Sequence, residues 1–70
     1  MKFIDVCRVF THKTEVSLSV FDEGMESETD IGTYRVIDIM NGCLSEYHNY
    51  YVTVVRPIDE TYIKVKVVKE

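Results

Sequence analysis

Cationic side chains are missing from a long stretch of this sequence: no Lys or Arg occurs from Thr14 through Tyr34. The 70-residue chain is also sparing with residues that mark several functional classes, with two cysteines, three glycines, one proline and no tryptophan. Two cysteines are too few for a disulfide scaffold, and Cys7 and Cys43 read as reduced thiols. Cys and His also lack the short paired spacings of structural zinc sites, so no metal is expected. The three glycines stand apart from one another, which excludes a glycine-rich phosphate loop, and no cofactor is expected. No apolar run approaches the roughly 20 residues that span a bilayer. Asp5 and Arg8 interrupt the apolar residues of MKFIDVCRVF, which therefore lacks a secretory apolar region. The expectation is a soluble, cytoplasmic protein with no membrane segment.

Apolar residues are sufficient for one core. Hydrophobic residues make up 46% of the chain, and residues 1–70 read as a single small domain without linker, repeat or low-complexity tract. A chain this short buries only about 60% of the surface that its unfolded form exposes. Self-association is the expected supplement to so small a core, which makes a homodimer a candidate state. The formal net charge is −4. General nucleic-acid affinity comes from Lys and Arg neutralising phosphates, so this balance disfavours it.

Period-two alternation dominates the pattern. In TEVSLSVF, Val16, Leu18 and Val20 fall on one face and Glu15, Ser17 and Ser19 on the other. The alternating KFIDVCRVF predicts a partner strand, with Thr11–Lys13 as the turn and Phe10, Val6 and Ile4 opposite Thr14, Leu18 and Val20. TYRVIDIM predicts a third strand, and Asn41-Gly42 a type I′ hairpin setting Met40 against Cys43. The return segment CLSEYH is weak strand material, and Leu44, Tyr47, His48 and Tyr51 also fit helical spacing. YYVTVVR and TYIKVKVV predict a last hairpin around Pro57–Glu60, with Val54 opposite Ile63 and Val52 opposite Val65. Three such hairpins predict an all-β fold: a small antiparallel five- or six-stranded barrel or curled sheet, SH3-like or OB-like by architecture. The alternative is α+β, with a short helix near residues 43–50.

The cation-free stretch holds six carboxylates, five of them between Asp22 and Asp30. It reads as an acidic loop over roughly residues 22–32. Glu26, Glu28 and Asp30 alternate as calcium ligands do, but Ile31 stands where an EF-hand loop requires Gly and Ile37 where it requires Glu. A carboxylate cluster suits a cationic protein surface, where it steers encounter and speeds association. Tyrosine, with a large apolar face and a polar tip, suits the same role. The expected partner site is Asp22, Glu23, Glu26, Glu28 and Asp30, with Tyr47 and Tyr51 as aromatic anchors. Tyr50 points with Val52 and Val54 and is expected in the core.

Catalysis finds no support: His12 and His48 fall in different hairpins, and neither Cys nor Ser lies in a nucleophile motif. The function that emerges is a non-enzymatic protein-binding module. It would be a small regulator or inhibitor engaging the basic surface of a protein, such as a nucleic-acid-acting enzyme. One competing function is a nucleic-acid-binding barrel, with bases stacked on Tyr51 and Tyr62 and phosphates on Lys64 and Lys66. The other is a self-assembling structural subunit.

Overall fold

The structure, a computed structural model, describes residues 1–69. Its elements run α1 (Phe3–Arg8), β1 (Glu15–Asp22), β2 (Ser27–Arg35), α2 (Val36–Met40), a 3₁₀ turn (Ser45–Tyr47), β3 (Tyr51–Asp59) and β4 (Tyr62–Lys69). The four strands make one mixed sheet in the order β2-β1-β4-β3. Two antiparallel hairpins, β1–β2 and β3–β4, are joined side by side through a parallel β1–β4 pair. The fold is thus mostly β with two short helices. It is an open sheet of four strands, not a closed barrel of five or six.

The alternation in β1 holds as read: Val16, Leu18 and Val20 are buried while Glu15, Ser17 and Ser19 face the other way. The expected partner strand at 3–10 is instead helix α1. Phe3, Val6, Cys7 and Phe10 recur at i, i+3, i+4 and i+7, and the helical period buries Phe3, Val6 and Cys7 together, which the period-two reading cannot do. Asp5 in the first turn and Arg8 in the last suit the helix dipole and form an exposed pair at 3.4 Å. The β1 edge left free by α1 is taken by β4.

The expected strand TYRVIDIM is divided. Tyr34 and Arg35 finish β2, and Val36–Met40 turns into α2, anchored where the Val36 N–H donates to the Thr14 carbonyl at 2.8 Å. Asn41-Gly42 ends this helix and makes no hairpin. The Gly42 N–H donates to the Ile39 carbonyl and the Cys43 N–H to that of Asp38, the paired bonds of a Schellman cap. Gly42 has φ +115°, the positive φ such a cap requires. The Met40–Cys43 pairing therefore does not exist. A single 3₁₀ turn at Ser45–Tyr47 is the helical element within 43–50.

The last hairpin exists in a different register. Val52 pairs with Val67, Val55 with Val65 and Pro57 with Ile63, and β3 runs on to Asp59. Pro57 is a strand residue, tolerated because β3 is an edge strand whose outward positions need no donor. The turn is tightened by Asp59, whose Oδ1 accepts from the Thr61 N–H at 2.8 Å and the Thr61 hydroxyl at 3.2 Å. An irregularity at Thr53 moves Val54 to the face opposite Val52.

One core forms between the helices and the sheet. It joins Phe3, Val6 and Cys7 of α1 and Val36 and Ile39 of α2 to Val16, Leu18 and Val20 of β1 and Ile63, Val65 and Val67 of β4. Tyr50, just before β3, packs against it half-buried, although Val54, with which its pattern grouped it, lies on the other face. Both helices lie on the same side of the sheet as these residues, and among the described residues no element covers the other side. Among the described residues no helix is long and apolar enough to cross a membrane.

Candidate functional site on the bare sheet face

Strand pairing arranges the bare face into four rows running from β2 across β1 and β4 to β3. They read Arg35–Glu15–Tyr62–Asp59, Thr33–Ser17–Lys64–Arg56, Asp30–Ser19–Lys66–Val54 and Glu28–Phe21–Val68–Tyr51. Three properties follow. Arg35, Arg56, Lys64 and Lys66 balance Glu15, Glu28, Asp30 and Asp59, so the face is neutral although the chain carries −4. The acids Glu28 and Asp30 lie on one edge strand, and the cations Arg56, Lys64 and Lys66 lie on the opposite hairpin. One corner is apolar: Phe21, Val68, Tyr51 and Val54 are neighbours, with Tyr51 46% and Val54 48% exposed.

The middle of the face is low because β1 contributes Ser17 and Ser19. Lys66 crosses this trough, and its Nζ lies 2.7 Å from Glu28 Oε1. A shallow depression beside it is lined by Ser19, Glu28, Val54, Arg56, Lys64 and Lys66.

The structure divides the expected partner site. Asp22 ends β1 on the helix side of the sheet, and its Oδ1 accepts from the Gly24 N–H at 3.0 Å and the Met25 N–H at 3.4 Å, which makes it a turn-forming residue. Glu23 and Glu26 occupy the tip, Glu26 with φ +50°. Glu28 and Asp30 belong to β2 and sit on the bare face. The expected loop over 22–32 is therefore a turn at residues 23–26 followed by an exposed edge strand. Charged side chains are a common means of protecting such an edge from further pairing. Tyr51 lies on the bare face. Tyr47 lies behind the sheet, edge-on to Tyr50 with ring centroids 5.4 Å apart. Burial, and next the Glu46 carboxylate, push its hydroxyl pKa up.

The alternative set Tyr51, Tyr62, Lys64 and Lys66 does come together on the bare face, joined by Arg56, Phe21, Val54 and Val68, which sequence reasoning did not include. Phe21 continues the Ser17–Ser19 alternation and was open to detection. Val54 was not, because the irregularity at Thr53 inverts its side.

His48 is held by a contact of its Nε2 with the Cys43 carbonyl at 3.2 Å and sits near the Phe3 ring. Burial pushes the Cys7 thiol up to about 11, far from a reactive thiolate, while Cys43 is an exposed free thiol. No group of three or more His, Cys, Asp or Glu among the described residues could hold a metal ion. Comparison of the chain with protein-family models, with curated proteins and with solved structures gives no match.

Proposed function

We propose that this chain is a non-enzymatic protein-binding module, a small regulator or inhibitor that engages its partner through the bare face of the sheet and the acidic hairpin beside it. The observation that carries the reading is the apolar corner of Phe21, Val68, Tyr51 and Val54 on a face that no element covers. Such a corner supplies the desolvated centre of an interface, with Tyr51 as its anchor. Glu23, Glu26 and Asp30 meet cationic side chains of the partner at the rim, where charge governs encounter rate more than affinity. Tyr47, behind the sheet, is not part of this surface.

Affinity capture with wild type, Tyr51→Ala and the triple variant Glu23→Gln/Glu26→Gln/Asp30→Asn tests the reading. A partner retained by wild type and lost by Tyr51→Ala supports it, with the triple variant slowing association at low salt. Equal retention by all three proteins refutes it.

A second reading is favoured by one observation: Tyr51, Tyr62, Arg56, Lys64 and Lys66 share the face, in the manner of a stacking platform for single-stranded nucleic acid. Against it stand the four carboxylates on the same face, which repel phosphate. Titration of single-stranded DNA and RNA across salt separates the readings, since steeply salt-dependent binding belongs only to this one.

A further inference from the structure

We infer that the outer edge of β2 pairs antiparallel with the same edge of a second copy of this chain, about a two-fold axis normal to the sheet. The inference goes beyond the reading of the bare face, which this contact leaves open in both copies. Backbone direction carries it. The Glu15 N–H donates to the carbonyl of Thr61, just before β4, and the Val36 N–H donates to the Thr14 carbonyl. In β1, therefore, Glu15, Ser17, Ser19 and Phe21 direct their backbone groups to β4, and the residues between them direct theirs to β2. Their partners Arg35, Thr33, Asp30 and Glu28 then point N–H and C=O outward, where no described strand lies. The other edge of the sheet is obstructed. On β3 the Val52 N–H donates to the Met1 carbonyl at 2.8 Å, Lys2 bridges to Tyr51, and Pro57 has no N–H to offer.

One register uses every outward residue of β2. Ile31 is the extra residue of a bulge, so two outward residues lie on either side of Ile31-Gly32. Setting Glu28 opposite Arg35 of the second copy and Asp30 opposite its Thr33 pairs all four at once, with Ile31 and Gly32 of both copies meeting at the axis. Each pair exchanges two hydrogen bonds, about eight in all. Every other antiparallel register leaves two or more of the four unpaired, and one of these sets Glu28 against Asp30. The side chains agree with the backbone. Paired residues share a face, so Thr29 meets Tyr34 of the second copy behind the sheet, with Ile31 adding apolar surface beside them. Glu28 and Arg35 already pair within the chain with Lys66 and Asp38, so charge permits this register and the backbone holds it. Because the β3 edge is obstructed, pairing stops at two copies and does not run on into a fibre.

Sedimentation equilibrium over a concentration series tests this on the intact chain, with Thr33→Pro and Thr33→Ala as probes. Thr33→Pro removes an N–H directed away from β1, and β3 already carries a proline at such an outward position. It deletes one hydrogen bond at each of two symmetric sites and is expected to weaken dimerisation at least about tenfold. Thr33→Ala keeps the N–H and should dimerise within about threefold of wild type. Amide exchange of wild type gives a readout that needs no variant to fold. Rising concentration should slow exchange at Glu28, Asp30, Thr33 and Arg35, while Thr29 and Tyr34, already bonded to β1, change little. If Thr33→Pro does not fold, this alternation decides the matter. A wild type that stays monomeric, a Thr33→Pro variant that associates like wild type, a Thr33→Ala variant as weak as Thr33→Pro, or slowing confined to β3 would each overturn the inference.

Discussion

Lys66 reaches over β1 to Glu28, closing a 2.7 Å ion pair between strands that are not neighbours in the sheet. The pair depends on Ser19 beneath it, since a larger side chain there would block the crossing. Both partners are partly solvated, 44% and 46% exposed in their side chains, so the expected contribution to stability is at most about 1 kcal/mol. A double-mutant cycle with Glu28→Gln and Lys66→Met in urea should give a coupling within that limit that shrinks in salt. A coupling above about 2 kcal/mol would contradict a solvated pair.

Leu18 lies in a central strand, fully buried in the core to which both helices contribute. Leu18→Ala should cost about 2–5 kcal/mol, seen as a lower urea midpoint. In a domain this small that loss approaches the whole stability, so a cost below about 1 kcal/mol would mean that the core is not packed as described.

Gly42 has open space where a Cβ would sit, so its constraint is the positive φ alone. Gly42→Val should cost about 1–2 kcal/mol, while Gly42→Asn, which tolerates the left-handed region, should cost less. Thermal melts of the two variants would show this order. If they melt together, the cap does not govern the end of α2.

Cys7 links stability to alkaline pH. Its pKa rises from 9.0 unfolded to about 11 folded because burial disfavours the thiolate. The native state holds the proton more tightly, so this stabilisation is intact below pH 9 and is lost as pH climbs from 9 towards 11. The effect is at most about 3 kcal/mol. Cys7→Ala should flatten the fall in urea midpoint over that interval relative to wild type, although it starts from lower stability. Parallel pH profiles in the two proteins would show that Cys7 does not titrate this way. Thiol labelling at pH 8 should modify Cys43 quickly and Cys7 only on unfolding.

What the sequence disclosed was strand chemistry wherever one period fitted the residues. TEVSLSVF admits only alternation, and β1 was legible down to the face of each residue. KFIDVCRVF satisfies both a period of two and a period of 3.6, and the choice fell to tertiary packing, which rewards burying Phe3, Val6 and Cys7 on one side of a helix. Asn41-Gly42 is equally ambiguous locally, because hairpin turns and Schellman caps ask for the same positive φ. The last hairpin was legible as a hairpin, but its register was not, since Pro57 marks a turn or an edge strand depending on whether another strand lies outside it. The bare face inherits these limits. Tyr51, Tyr62, Lys64 and Lys66 were grouped by alternation, whereas their meeting with Glu28, Asp30 and Phe21 required the parallel β1–β4 pairing, which no local pattern announces.

That parallel seam also sets the order of events in folding. Each hairpin can close from neighbouring residues, but Val16 must find Ile63, 47 positions later, before the middle of the sheet exists. The entropic cost of that long closure is met only when both hairpins and the α2 segment between them are in place. Until the β4 residues have emerged from the ribosome, β1 keeps one edge open, and a nascent chain stalled before that point would offer a bare hairpin to any strand nearby.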